Sequence, residues 1–572
     1  MGKRRNALSP DPVPAEARLW LPWAILAGAV LLAYFNALPG ILFWDDEVLI
    51  LNNVFLRSFR YLHEIFTTSM MAGGGVLNNY YRPVQNVLLL LQYQLWGPWP
   101  AGYHAVNILF HLANTALLFL LARRLSSCVR TAFWAALLYA LHPVQNETVN
   151  YASHLNSLST FFFGMLALHL HVRGRRWNSL LSWAACLLSK EEGVVFFLIF
   201  LLHDLMRVDE HPPRPQERLR GLLGLWPHAL VLGTYLVLHV TVFNFLRLPL
   251  AEYGAQAGAY AGVGLRLLTF AKAFCVYLRL LILPVGLHFD RDMLPVSSLT
   301  QPDAWACVVL AAAAVFALWK ASRDLPAARF GLCWFLAGFL PYCGLVPFNN
   351  ILAEHFLYLP SAGLFLALAD LGVRRLGSRW MFLLVPLFAF WLVQNWRRNA
   401  DWQDPARLYR TTLAGNPRSF RAANNLGAEY FRKGLLLEAK EAFELALGTN
   451  PQYAPALNNV GAVVEAQGKP DEALGWYRRA ALADPAYALA HRNLATILFQ
   501  RRSLREARSE AEAAIALHPA YAEAWELLGA IAFDLQDLPA SLAAFEKAAS
   551  LNPSPQILAN LAIVRERAEK TP

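Results

Sequence analysis

Five prolines divide the last third of this 572-residue chain into equal steps: Pro417, Pro451, Pro485, Pro519 and Pro553 each follow the one before by 34 residues. Between them, small and large apolar residues recur at matching places. The first interval carries LG at 426–427, Tyr430, Ala439, Phe443 and Ala446; the second VG at 460–461, Ala473, Tyr477 and Ala480. Leu494, Ala507 and Ala514 follow in the third, and Trp525, LG at 528–529, Phe545 and Ala548 in the fourth. A unit of this length holds two helices whose apolar faces only a neighbouring unit can cover, so it folds by stacking.

This is the period of the tetratricopeptide repeat (TPR). The pattern predicts an α-solenoid over 401–572 with about four repeats. WQDPARLYRTTLAGN (402–416) reads as a docking half-repeat and 554–569 as a solvating cap. Such a solenoid presents a groove for peptides and protein partners. Asn424, Asn425, Asn458, Asn459 and Asn493 fall at or near positions on the first helix of each pair that can face it. An Asn amide can bond an extended backbone without reading its side chains; the plainer reading is polar residues on exposed helix faces.

The chain before the repeats has another character. The whole sequence is 56% hydrophobic and 16% charged, against about 45–50% and about 25% in soluble proteins. The apolar residues form segments at about 19–43, 104–122, 131–142, 155–172, 178–189, 193–206, 221–246, 265–284, 303–319, 329–348, 352–371 and 380–396. A bilayer crossing needs roughly 20 such residues. The run Val87–Trp96 is shorter and suits a helix in the interface. Basic loops at 122–124, 171–177, 207–220, 320–324 and 373–379, with the N-terminal MGKRR and Arg18, mark the cytoplasmic side. The expectation is an all-α protein: a cytoplasmic tail (1–18), a polytopic helical bundle (19–396) and the repeats. The net charge of +10 belongs to topology and anionic lipid and argues against nucleic acid as a partner. Segment 265–284 carries Arg266, Lys272 and Arg279, and neither flank, 247–264 or 285–302, is rich in basic residues. It reads as re-entrant or interfacial; an ordinary span with snorkelling arginines is the alternative.

The side opposite the basic loops collects polar motifs. FWDD ends the first apolar run and places Asp45 and Asp46 at the membrane surface. LHPVQNETVNYASHLNS (141–157) holds His142, Glu147 and His154; SKEEG (189–193) holds Lys190, Glu191 and Glu192; NNILAEHFLYLPSAG (349–363) holds Glu354, His355 and Tyr358. One such cluster is commonly a helix cap or interhelical glue. Four on one face suggest a polar cavity at the outer interface. The sequence lacks HExxH, GxSxG and a Walker loop, and AGGGV (72–76) has no phosphate-loop lysine. Zinc is not indicated, while a divalent, oxygen-ligated cation on Asp45, Asp46 and Glu147 is compatible with the residue types. The N-E-T sequon at Asn146 matters only in a glycosylating lumen.

FWDD, YRPV, GYHAVNILFH, LHPVxxE, LLSKE and AExxLYLPS, in this order and followed by TPRs, resemble the transmembrane-and-TPR O-mannosyltransferases and their bacterial relatives, within the C-type (GT-C) glycosyltransferases. The resemblance implies a GT-C bundle, a polyprenyl-phosphate sugar donor with a mannose-like hexose, and an active site at the acidic pair, with Asp45 or Asp46 as catalytic base. One departure stands out: Phe356 follows His355 where relatives place an arginine beside or one after the His position.

The residue types fit that chemistry. A carboxylate takes the acceptor hydroxyl's proton as it attacks C1, and the phosphate leaving group needs positive charge. Arg82, Lys190, Arg279 and His355 are the cations available, with His142, Glu147, Glu191 and Glu354 as further donor- or substrate-binding candidates. The reading is an integral-membrane glycosyltransferase, multi-pass in a bacterial inner membrane, acting on a protein or glycan hydroxyl. Its active site and TPRs are expected on the periplasmic or luminal side. The alternative is a non-catalytic membrane scaffold that uses its TPRs to assemble an envelope complex.

Overall fold

A computed structural model describes residues 20–76, 78–206, 215–244, 262–345, 351–377 and 379–570. Among them are helices and turns and no strand. The chain divides into two units, Met1–Asp404 and Pro405–Pro572. The basic N-terminal tail, much of loop 207–220 and nearly all of flank 247–264 lie outside the described residues.

The first unit begins with α1 (Trp20–Tyr34), α2 (Leu62–Thr67), α3 (Pro83–Trp96), α4 (Pro100–Ser126), α5 (Val129–Leu141), α6 (Asn146–Asn150), α7 (Leu155–Val172) and α8 (Arg176–Leu187). It continues with α9 (Val195–Met206), α10 (Pro215–Gly224), α11 (Trp226–Thr241), α12 (Val263–Ile282), α13 (Pro302–Ala321), α14 (Pro326–Ala337), α15 (Tyr358–Leu371) and α16 (Arg379–Asp401). Among the described residues, five stretches are long and apolar enough to cross a membrane: Trp20–Ala37, Pro100–Ser126, Ala152–Val172, Pro302–Ala321 and Glu354–Leu376. On α13 nearly everything faces outward, with Val309, Leu310 and Phe316 each about two-thirds exposed. In water that face would be costly; against lipid it costs nothing. The protein is an integral membrane protein.

Small residues set the closest crossings. The Cβ missing from Gly331 on α14 would lie 2.4 Å from the Gly363 carbonyl oxygen, and that missing from Gly363 on α15 would lie 2.5 Å from the Gly331 carbonyl oxygen. The two backbones meet where no side chain intervenes. Ala132, Ala135, Ala136 and Ala140 likewise give α5 a flat buried face. The first and last helices of the unit are tied by amides: Asn399 on α16 donates to the Ala33 carbonyl (2.8 Å) and to Asn36 Oδ1 (2.7 Å).

Several segments differ from their apolar boundaries. The run 221–246 is two helices, α10 and α11, because Pro227 opens a new helix just after Gly224. The run 329–348 leaves α-helix at Ala337, where Gly338 and Pro341 lead into a single 3-10 turn. The run 352–371 begins with a 3-10 turn, Glu354–Leu357, before α15. Segment 265–284 is one 20-residue helix, α12, outside the five membrane-length candidates.

The second unit is a stack of helix pairs: α17 (Pro405–Gly415), α18 (Phe420–Arg432) with α19 (Leu436–Thr449), and α20 (Ala454–Ala466) with α21 (Pro470–Ala483). Then come α22 (Ala488–Gln500) with α23 (Leu504–Leu517), α24 (Ala522–Asp534) with α25 (Leu538–Leu551), and α26 (Pro555–Lys570). The repeat glycines hold each pair together: a Cβ on Gly427, Gly461 or Gly529 would strike the ring of Phe443, Tyr477 or Phe545 at 2.6–2.7 Å. The five predicted asparagines bond chiefly to one another. Asn493 donates to Asn458 (2.8 Å), Asn458 to Asn459 (3.4 Å), Asn459 to Asn424 (3.0 Å) and Asn424 to Asn425 (3.1 Å). They form a ladder in which Asn493 and Asn459 donate to the preceding repeat, while Asn458 and Asn424 each donate to the next residue of their own helix.

Candidate active site

The acidic pair follows a backbone kink. Trp44 has φ +59°, a left-handed conformation costly for a bulky residue, and its ring packs edge-on to Phe289 at 4.9 Å. Beyond the kink the two carboxylates part company. Asp46 is completely buried; its Oδ1 accepts the Ser153 backbone N–H at 2.8 Å and the Ser153 hydroxyl. Its Oδ2 is buried without a hydrogen-bond partner. Burial, only partly offset by the Ser153 bonds and reinforced by Asp45, pushes its pKa up to about 8. Asp45 is half-buried, and its backbone N–H donates to the Tyr151 hydroxyl at 2.9 Å.

Residues distant in sequence converge here. Arg82, one residue before α3, gives Nε and Nη2 to Glu191 at 3.1 and 2.8 Å. It also lies over the Tyr80 ring, 4.6 Å from its centre. Its Nη1 has a 3.8 Å contact with Met70 Sδ. Burial raises the Tyr80 pKa, with the Arg82 charge opposing and those of Glu191 and Asp45 adding to the rise. Lys190 Nζ bonds the Ser157 hydroxyl (2.9 Å) and pairs with Glu192 (3.2 Å), which also accepts the Tyr342 hydroxyl. Burial lowers the Lys190 pKa, with Glu192 opposing.

A third group sits beside Lys190. His355 Nδ1 lies 2.6 Å from Glu147 Oε1, and the His154 ring is 4.3 Å from the His355 ring. Glu147, His154 and His355 offer ligand atoms within 4.8 Å of one another, a set that could hold a cation. Asp45 and Asp46 do not join Glu147 in such a group among the described residues. With Nδ1 spent on Glu147, His355 is engaged within the cluster. Glu354 is fully buried and accepts Arg291 Nε and Nη2 at 2.8 and 2.6 Å, together with the His288 N–H at 2.8 Å.

Asp45, Asp46, Arg82, Glu147, Lys190, Glu191, Glu354 and His355 thus share one end of the bundle. His142 and Arg279 do not join them. His142 accepts the Val144 N–H on Nδ1 and bonds the Leu281 carbonyl through Nε2, with Trp391 packed at 4.4 Å, so both nitrogens serve the backbone. Arg279 is exposed on the outer face of α12, turned away from buried Tyr277 and Leu280. Tyr358 lies inside the bundle, bonded to His111 and Asn114. Asn146 of the sequon has no exposed surface and donates to Asn399 at 2.6 Å, so the folded chain cannot present it for glycosylation. Tyr151, Ser153 and Ser157 lie inside the polar stretch 141–157 without being singled out there, and Tyr80 stands next to YRPV. Arg291 and Tyr342 belong to no motif.

A tetratricopeptide repeat model matches residues 396–454, 429–490, 461–515 and 492–554. The Caenorhabditis elegans protein named protein O-mannosyl-transferase F38B6.6 is 26% identical over 437 residues, covering 73% of this chain and 61% of its own. The human protein O-mannosyl-transferase TMTC3 is 25% identical over 468 residues, covering 74% of this chain and 50% of its own. The chain is a homologue of proteins named protein O-mannosyl-transferase. It spans about half to three-fifths of their length. Among solved structures, PilF of Pseudomonas aeruginosa is 24% identical with a TM-score of 0.26, over 27% of this chain and 72% of its own.

Proposed function

We propose that this protein is a GT-C-type glycosyltransferase that moves a mannose-like hexose from a polyprenyl phosphate to a hydroxyl of a protein or glycan. The observation that carries the reading is the split acidic pair beside Arg82. One carboxylate is half-open, its neighbour is locked by Ser153, and a buried guanidinium lies over Tyr80, whose phenol also feels the charge of the open one. In this reading Asp45 takes the acceptor proton as the acceptor oxygen forms its bond to C1. The C1–O bond to phosphate breaks, and the phosphate leaves with the electron pair. Arg82, whose Nη1 is not spent on Glu191, and Lys190 face the developing charge. Asp46 positions the pair. The homologues' name supports the reaction class, and the lipid-linked donor accounts for a site at the ends of the spanning helices.

The Glu147 carboxylate feels Arg398, near the end of α16, so the chain leaves the bundle where the site lies. We place the site and the repeats in one compartment, periplasmic or luminal, of a bacterial inner membrane or its equivalent, with the TPRs engaging acceptor or partner proteins. The test is transfer by the purified protein from labelled polyprenyl-phosphate mannose to hydroxyl-bearing peptides or glycans, with other lipid-linked hexoses in parallel. No transfer from any of them, with the fold intact, would leave the membrane-anchored TPR scaffold as the reading.

A further inference from the structure

The opposite end of the same helices carries a second cluster that the transferase reading does not use. Helix α7 starts next to His154 and ends next to His171, about 25 Å away at 1.5 Å per residue. There His171 Nε2 and His203 Nδ1 both meet Asp204 Oδ1, at 2.9 and 3.0 Å. These three offer ligand atoms within 4.8 Å of one another and come from the ends of α7 and α9. His228, at the start of α11, has its ring 5.5 Å from that of His171 and is fully buried. The Ser179 hydroxyl donates to the Ala167 carbonyl at 2.8 Å and so accepts from His228 Nε2 at 3.3 Å. That bond puts the His228 proton on Nε2 and leaves Nδ1 as a lone pair, buried and without a hydrogen-bond partner.

We propose that His171, His203 and Asp204 form a binding site for a late first-row divalent metal of the zinc class, with the neighbouring His228 as a candidate fourth ligand. Two imidazoles and one carboxylate are a zinc donor set, and bonds of about 2.0–2.2 Å in a tetrahedron separate neighbouring ligand atoms by about 3.3 Å. The observed 2.9 and 3.0 Å contacts need to open by only a few tenths of an ångström, each ring moving its proton to its other nitrogen. A backbone or hydroxyl acceptor that fixes one ring nitrogen, as Ser179 does for His228, is the usual outer support of a metal-binding imidazole. His171 also lines an open cleft of about 650 Å³ with Arg175, Arg176, Trp177 and Asn178, which gives an ion a way in. The two arginines there disfavour weakly held, oxygen-ligated cations and leave the site to a metal that nitrogen binds strongly. The bound ion would clip α7 to α9.

The test uses the full-length protein in detergent, stripped with EDTA and dialysed against ZnCl2 or MgCl2. Metal per chain and thermal midpoint are then read. Wild type should hold one more zinc equivalent than the His171→Asn/His203→Gln variant, and zinc should raise its midpoint by several degrees where magnesium does not. Glu147→Gln should keep that equivalent, which separates this site from the cluster at the other end. Equal zinc content in wild type and the double variant, or an equal response to magnesium, would overturn the proposal. Should the double variant not fold, the visible spectrum of Co2+-loaded wild type decides: bands of a nitrogen-ligated, four-coordinate ion support the site, and their absence overturns it.

Discussion

Ser153 holds Asp46 twice, its backbone N–H and its hydroxyl both ending on the same carboxylate oxygen, 107 residues away in sequence. Those two hydrogen bonds occupy one acid of the pair and leave its neighbour Asp45 half-open. The asymmetry assigns the two residues different consequences on mutation. Asp45→Asn should lower kcat by about 10²-fold or more, about 2.7 kcal/mol of transition-state stabilisation, with donor binding retained. Asp46→Asn should cost clearly less. Initial rates with a lipid-linked hexose, set beside donor affinity, measure both; equal turnover in wild type and Asp45→Asn would remove the base from this position.

Asp46 also makes a statement about pH. Its folded-state pKa is raised from 3.8 to about 8, so the folded chain keeps a proton that the unfolded chain releases above about pH 4. The stability from this group is therefore complete below pH 4 and is lost as pH rises toward 8. Asn imitates the protonated acid at every pH. Thermal midpoints between pH 5 and 8 should fall more steeply in wild type than in Asp46→Asn, and parallel curves would contradict the burial argument.

The Arg82–Glu191 pair predicts a geometric requirement. Arg82→Lys keeps the charge but loses the fork that grips Glu191 through Nε and Nη2. Donor KM should rise about tenfold in Arg82→Lys, roughly 1.4 kcal/mol, and further in Arg82→Ala. Steady-state kinetics with varied donor check this. A change in acceptor KM alone would move Arg82 to the other substrate.

In the repeats, Asn459 both accepts from Asn458 and donates to Asn424. Asn459→Ala breaks two links of the ladder and leaves amide groups unsatisfied, at roughly 1–3 kcal/mol for each that stays buried. Asn425 ends the line and is half-buried, so Asn425→Ala should cost less. Hydrogen exchange of 420–432 and 454–466 in the full-length protein should speed up in the first variant and change little in the second.

Much of this arrangement could be read from the amino-acid order, and the limits were physical. The 34-residue step, the apolar runs and the polar clusters at their ends are local patterns, and periodicity exposes them. Pairing is not local. Arg82 and Glu191 are 109 residues apart and His355 and Glu147 are 208 apart, so no window along the chain shows which cation meets which acid. His142 opens the motif holding Glu147, but the chain leaves α5 there in an extended conformation and the ring packs on Trp391 with both nitrogens spent on backbone. Arg291 sits in a loop without a motif, yet it neutralises the buried Glu354. The asparagines were read as partners for a peptide; stacking brought them within reach of one another first.

The tie between α1 and α16 sets a schedule for biosynthesis. Asn36 and Asn399 are separated by 363 residues, and a ribosome adding roughly 5–20 residues per second needs on the order of 20–70 s to travel that far. Throughout that interval the first span stands in the membrane with Ala33 and Asn36 waiting for an amide not yet translated. A nascent chain arrested before Asn399 should therefore hold its first helix loosely, open to whatever insertion or quality-control machinery surveys half-made bundles.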